Sequence, residues 1–529
     1  MTQQSDSDMP GQPGRAASLY TRLSSLREPF LRRAREASAL TLPYLLRDSG
    51  RSTASDFDTQ WQSVGARAVN NLASKLQLTL FPPSAPFFRL QVDESASGIL
   101  EASDDIRTEV EETLGEWERN VMFVINTGNF RVKAFESFQH LVVAGNCLVQ
   151  MLSEESYRVF HLDSYVVERD VEGMVQVLVV RETVSAAQLP EDVRRALMES
   201  GAVPDANQDA SGRSEQKNYF LYTAVVLKED GSAYDTWQEV ANTTIPDSDE
   251  VVSIEDLSFL PLRFYEVDDE DYGRGLVEQY IGDLRSLEGL SASIVEAAAA
   301  TARLLVLVRP NGVTRLSDVA TAPNGAVRKG DAQDVSFMQA EKQSDLRVAA
   351  EVAQRIEQRL SMAFLLNTSV QRQAERVTAE EIRYMAQELE DSLGGVYSVQ
   401  SQELQLPIVN MVMRKMRENG RLPALPNEDL VKATVVTGLE SLGRGHDLQR
   451  LQVAFDLITR TYGPEALAAA TNMEDAMRRV FTSLGIDPSG LLKTEEERAQ
   501  EQQQAQMAGM AQQLAPEVVK QMGNTNRQG

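Results

Sequence analysis

Few residues in this 529-residue chain have the type and spacing to carry out chemistry. Gly438 and Gly443 have the spacing of a phosphate-binding loop. Arg444-Gly445 follows where a lysine and a hydroxyl residue would have to reach the phosphates and their magnesium ion. The pattern therefore argues against an ATPase of the phosphate-loop type. The histidines are His140, His161 and His446. No two of them have metal-ligand spacing, no His-Glu-x2-His occurs, and nothing local supports a catalytic triad built on one of them. Cys147 is the single cysteine, so no intrachain disulfide and no four-cysteine zinc site can form. Its apolar run, Leu141 to Val149, predicts a buried structural thiol and not a nucleophile, as suits a reducing cytoplasm. Asp268-Asp269-Glu270-Asp271 lacks the alternating ligands of a calcium loop. Acids just ahead of a helix complement its N-terminal partial charge instead. No metal, cofactor or catalytic residue is implied, and the expected class is not an enzyme.

A more informative place is the polar run 367–377, which holds Gln371, Arg372, Gln373 and Arg376. It lies between two amphipathic stretches. Thr378-Ala379-Glu380-Glu381 then has the pattern of a capping box that starts the second helix. A solvated surface loop explains these arginines. A loop projected into a channel, touching the backbone of passing DNA, explains them too, and the residues alone favour the surface loop.

The elements that must position this run are predominantly helical, and the fold class expected is α+β. Residues 1–18 are expected to be disordered. Helices are expected over about 19–46, with Arg22, Arg27, Arg32, Arg33 and Arg35 on the polar side, and over 57–80, with Trp61, Val64, Ala68, Leu72, Leu76 and Leu80 recurring at helical spacing. An extended stretch at 87–92 and helices at 103–127 and 130–144 follow. Period-2 alternation then predicts strands at 147–152, 158–161, 165–169, 175–182, 219–227 and 234–240. From Gly275 to Val308 the spacing predicts one helix about 50 Å long. Leu276, Tyr280, Leu284, Leu287 and Ile294 belong to an apolar face covering half its circumference, wide enough to touch neighbours on two sides. Turn signals break the pattern at 309–341, with a short strand at 335–338. Helices are predicted over 342–366 and 378–420, the latter bent at Gly394-Gly395 and Pro407. Two more lie at about 447–461 and 472–484, and a loosely held tail begins at 494.

Size and charge limit the functions further. The chain is too long for one hydrophobic core. It carries a formal net charge of −26, and residues 181–271 alone hold 21 acidic against 7 basic residues. Affinity for nucleic acid comes largely from neutralising phosphates, so this chain is not a simple nucleic-acid binder. No apolar run is long enough for a membrane helix and no secretory leader is expected.

Several runs resemble portal proteins, the head-to-tail connectors of short-tailed podoviruses of the autographivirus type, which carry their own RNA polymerase. They are Gln62 to Leu76 leading into Leu80-Phe81-Pro82-Pro83, Phe160 to Val167, Tyr272-Gly273-Arg274-Gly275 with Gly282 to Glu288, Glu375 to Tyr384, Leu393 to Tyr397, Gln402 to Pro407, and Gly438 to Gly445. The resemblance spans residues 35–490. It implies a portal-type fold with an α/β wing, helical stem, small clip, channel loop and helical crown. On this chain the wing would be 19–265, the stem helices 266–308 and 342–366, the clip 309–341, the channel loop 367–377, the long kinked wing helix 378–420, the crown 421–493 and a flexible tail 494–529. It further implies a homo-oligomeric ring, usually of twelve subunits, at one capsid vertex of the virion, assembled in the host cytoplasm. Double-stranded DNA would pass through it, terminase and tail adaptor proteins would dock on it, and major capsid and scaffolding proteins would surround it. The clip cations Arg309, Arg315, Arg328 and Lys329 would meet terminase or tail, and the apolar face from Leu276 to Ile294 would pack between subunits. A different structural class, a helical scaffold or adaptor without a DNA channel, would share the helices and the acidity.

Overall fold

The computed structural model describes residues 14–46, 59–83, 87–92, 104–185, 189, 191, 193–195, 218–302, 305–323, 325–338, 343–366, 379–393, 395–424, 433–436, 454–463 and 477. Gln371, Arg372, Gln373 and Arg376 of the expected channel loop, Thr378 of the capping box, most of the expected crown and the expected C-terminal tail lie outside them. The chain divides into two units, residues 1–441 and 442–529. In the second, residues 454–462 are helical, within the first of the two helices expected there.

The first unit opens with α1 (Arg15–Leu40). It starts earlier than expected, because a distant carboxylate caps it. Glu239, fully buried, accepts hydrogen bonds from the Ala16 amide at 3.0 and 3.1 Å and from the Ala17 amide at 3.4 Å. These are amides that a helix cannot satisfy within itself. Next come α2 (Val64–Leu80), β1 (Arg89–Val92), α3 (Asp104–Thr127) and α4 (Phe130–Ala144). α2 begins seven residues later than expected. Trp61 precedes it and is exposed, so it does not belong to the buried stripe.

The six predicted strands are found close to their expected places. They are β2 (Asn146–Ser153), β3 (Ser156–Phe160), β4 (Tyr165–Arg169), β5 (Val175–Ser185), β6 (Asn218–Leu227) and β7 (Ala233–Val240). Three further ones, β8 (Thr243–Thr244), β9 (Glu250–Ser253) and β10 (Phe259–Arg263), were not predicted. β4 to β8 pair in sequence order as an antiparallel sheet, and β9 joins β7. Residues of α1 pack on both faces of it: Ala16, Tyr20 and Leu23 join Val166, Val179, Ala224 and Trp237 on one face, while Leu31 and Ala34 join Leu178, Val180 and Val225, the alternate residues of the same strands, on the other. A second antiparallel sheet has the order β10-β2-β3.

Beyond Asp271 the expected 34-residue helix is split. α5 (Leu276–Gln279) is one turn, α6 (Ile281–Ala302) has 22 residues, and Leu305–Val308 forms the strand β11. At 1.5 Å per residue α6 is about 33 Å long, not 50 Å. The alternating Leu-Val-Leu-Val of β11 finds an antiparallel partner in β12 (Val335–Met338) and leaves the helix for it. Between them lies the short helix α7 (Leu316–Ala320). α8 (Gln343–Ala363) returns beside α6. The long kinked helix resolves into α9 (Ala379–Leu393), α10 (Val396–Gln400), a π-helical segment Ser401–Gln405 and α11 (Leu406–Glu418). Gly395, at φ 91°, makes the break expected there. Pro407 sits in the first turn of α11, where its missing amide does no harm. Last in the unit, β13 (Ala433–Val436) pairs antiparallel with β1.

Candidate channel, clip and subunit contacts

The turn within the expected clip, residues 309–334, is braced by its own polar residues. The carboxylate of Asp334, buried in the turn, accepts the amides of Val313 at 2.7 Å and Thr314 at 3.1 Å. The Arg309 amide donates to the Asp334 carbonyl at 2.9 Å. The buried Thr314 hydroxyl accepts the Asp331 amide at 2.9 Å. A Cβ on Gly312 would overlap the Asp334 carboxyl group, so the turn closes only around glycine. This bracing leaves the remaining side chains outside. Arg309, Arg315, Arg328 and Lys329 are all exposed, and none has an ion-pair partner among the described residues. Leu307, Val313, Leu316 and Val327 are exposed with them. Arg315, Asp318 and Lys329 line one open depression on this surface.

The stem is an antiparallel pair. Tyr280, at the start of α6, meets Phe364, just past the end of α8, with ring centroids 5.7 Å apart. Asp283 pairs with Arg359 at 2.7 Å, and β11 meets β12 at the far end. Leu276, Leu284 and Leu287 are already buried within the single chain. α5 packs on α4, and α6 packs on α8 and α1, so the subunit's own helices cover much of the wide apolar face. Periodicity shows that a face is covered, not which chain covers it. Tyr280 and Ile294 are half-buried. The apolar residues left open are Val295 at 48% exposure, Val348 at 58%, Val352 at 39% and Met362 at 69%.

Two resembling runs turn out to build the joint between stem and wing. Gly145 ends α4 at φ 74°, and its α-carbon lies against the backbone of Gly273, Arg274 and Gly275. The Asn146 side chain both donates to the Gly273 carbonyl and accepts the Gly273 amide, each at 2.8 Å. The Tyr272 hydroxyl accepts the Val167 amide at 3.0 Å. Arg274 lies over the Phe30 ring and pairs with Glu270 and Glu278. These two carboxylates hold its guanidinium above the ordinary arginine range. In the other run, Glu403 of the π-helical segment accepts from Arg263 three times: from the amide at 2.9 Å, from Nε at 3.0 Å and from the guanidinium at 2.7 Å. Gln400 donates to the Arg263 carbonyl at 2.6 Å. The wider π turn points these polar groups at β10 while Leu404 stays in the core.

α2 packs on both helices that flank residues 367–377 in the chain, α8 before them and α9 after them. Asn71 donates to the carbonyls of Phe364 and Leu365, both at 3.2 Å, and the Lys75 ammonium donates to the Leu365 carbonyl at 2.9 Å. Burial pushes Lys75 below the usual lysine range, opposed by Glu388 of α9. Neither Asn71 nor Lys75 was singled out by its spacing. The signal was there, since Lys75 sits on the buried stripe between Leu72, Leu76 and Thr79. Cys147 is fully buried, and burial raises its thiol well above the ordinary range. No described helix is long and apolar enough to cross a membrane.

The pattern of the bacteriophage head to tail connecting protein family matches residues 14–492. The chain belongs to that family. Among connector relatives, the portal protein of Escherichia phage T7 is 39% identical over 501 residues, which is 94% of this chain and 91% of that one. The portal protein of Enterobacteria phage SP6 is 31% identical over 508 residues, 94% of each chain. The portal protein of Pseudomonas phage phiKMV is 29% identical over 485 residues. A solved chain from the neck of a native gene transfer agent particle, computed with C12 symmetry, is similar over 80% of this connector and 90% of that chain, at 11% identity and a TM-score of 0.34.

Proposed function

We propose that this connector is the repeating subunit of a closed portal ring at one capsid vertex, through which double-stranded DNA enters during packaging and leaves on ejection. The observation that carries the reading is the stem. Two antiparallel helices satisfy each other on one side and leave Val295, Val348, Val352 and Met362 open, as helices that meet a second copy of themselves would. Twelve copies is the working number. The clip cations Arg309, Arg315, Arg328 and Lys329 face terminase and tail adaptor proteins in this reading. The segment with Gln371, Arg372, Gln373 and Arg376 faces the DNA. The chain's charge of −26 suits a conduit, because tight phosphate binding would brake a sliding duplex. The role is structural, with no catalytic step.

Negative-stain images of the purified chain are the test. Closed rings with a central hole are expected, and a monodisperse monomer at every concentration would refute the proposal. Deleting 367–377 should leave the rings and abolish retention of packaged DNA. A scaffold or adaptor without a channel would form no such hole.

A further inference from the structure

We infer that Lys75, helped by Asn71, is the positioning residue that fixes where the chain leaves the stem on its way to the DNA-facing segment. The inference rests on the portal reading above. The geometry lies entirely in α2, α8 and α9. Two residues past α8, Leu365 lies in the left-handed region at φ 53°, a conformation that disfavours a leucine. Two reversed hydrogen bonds close that end: the Leu365 amide donates to the Met362 carbonyl at 3.1 Å, and the Leu366 amide donates to the Ser361 carbonyl at 2.7 Å. The carbonyl of the same strained leucine points back at α2, where Lys75 and Asn71 hold it. A lysine at 4% exposure is costly to bury unless its charge is hydrogen-bonded. Its position on the apolar stripe of α2 is explained by the contact it makes.

α2 is fit to serve as the fixed point, since both its ends are tied down. Glu288 of α6 accepts the Trp61 amide at 2.8 Å and the Gln62 amide at 3.3 Å ahead of the helix. After it, Arg131 donates to the Phe81 carbonyl at 2.7 Å and the Pro82 carbonyl at 2.9 Å. Gln139 holds the middle through Asn70 at 2.7 Å. Glu388 raises the charge preference of the same lysine from the α9 side. One ammonium group is therefore sensitive to both helices that bound the segment 367–377.

The test is Lys75→Met in the full-length chain, which keeps the apolar stem of the side chain and removes its donors. Rings should still form in negative stain. Hydrogen exchange at the Leu365 and Leu366 amides should quicken by about tenfold or more, the factor for a hydrogen bond to a charged donor worth about 1.4 kcal/mol. The fraction of DNA-filled particles should fall. Asn71→Ala removes its two bonds to this helix end and takes over the test if Lys75→Met fails to assemble. Unchanged exchange at both amides overturns the inference. So does faster exchange with full DNA retention, provided that deletion of 367–377 empties the particles; in that case the portal reading survives. If the deletion itself leaves DNA retained, the portal reading is what fails.

Discussion

Arg27→Met should destabilise the chain far more than Arg22→Met, although the two residues lie five apart on one helix and look alike in the sequence. Arg27 is fully buried. Its guanidinium donates to the carbonyls of Leu162 at 3.1 Å, Asp163 at 3.0 Å and Tyr165 at 2.6 Å, and to the Tyr20 hydroxyl at 3.2 Å. The Leu162 and Tyr165 residues are themselves buried. Each buried acceptor left without a donor costs about 1–3 kcal/mol, while methionine spares the desolvation of a charge. The expected loss is roughly 2–5 kcal/mol. Arg22 pairs with Glu168 at 2.8 Å on the surface, its side chain 54% exposed, and its removal should cost about 0.2–1 kcal/mol. Urea unfolding followed by tryptophan fluorescence reports on the relevant contact, since Trp237 packs in the same α1–sheet layer. Equal midpoint shifts for the two variants would refute the reasoning that carbonyl capture by Arg27, and not its charge alone, ties α1 to the sheet.

Gly145→Ala places a Cβ about 2.5 Å from the Arg274 and Gly275 backbone and forces alanine to φ 74°, so a loss of about 2–5 kcal/mol in thermal or urea unfolding is expected. Burial, with His161 nearby, lowers His140 to about 3. Between pH 6.5 and 3 the unfolded chain then takes up a proton that the folded chain refuses. The stability present above pH 6.5 should fall by about 1.4 kcal/mol per pH unit across that window, and His140→Phe should flatten the slope in urea titrations. The double substitution Arg372→Ala with Arg376→Ala should leave rings intact and change DNA retention, measured as the fraction of filled particles.

Much of the wing was legible because alternation in antiparallel strands with one buried face is a strong local signal. The run 165–169 and the hairpin at Asp170 to Gly173 came out as expected, with Gly173 at φ 83°. Three kinds of feature were not legible. Arg27 and Lys75 stand on the buried stripes of α1 and α2, yet a cation reads as surface until its carbonyl partners, far along the chain, are known. The end of α6 was read as helix because Leu305 to Val308 is apolar by either period, and its strand partner lies thirty residues on. The pairing of β1 with β13 joins segments more than three hundred residues apart and leaves no local trace. For the proposed site, Arg309, Arg315, Arg328 and Lys329 are exposed between the two antiparallel helices. The stem face divides differently: Leu276, Leu284 and Leu287 serve the subunit's own core, and the open apolar positions are on its other flanks.

The carboxylate that seals the start of α1 has a consequence for how the chain matures. Glu239 is 223 residues downstream of the amide it holds. At roughly 5–20 residues per second, a ribosome needs about 10–45 s to travel that far. For that interval α1 lacks its cap, and the sheet it packs on stays incomplete until β7 is made. α1 is secured long after it is made, and a nascent chain halted before Glu239 should expose it to proteases.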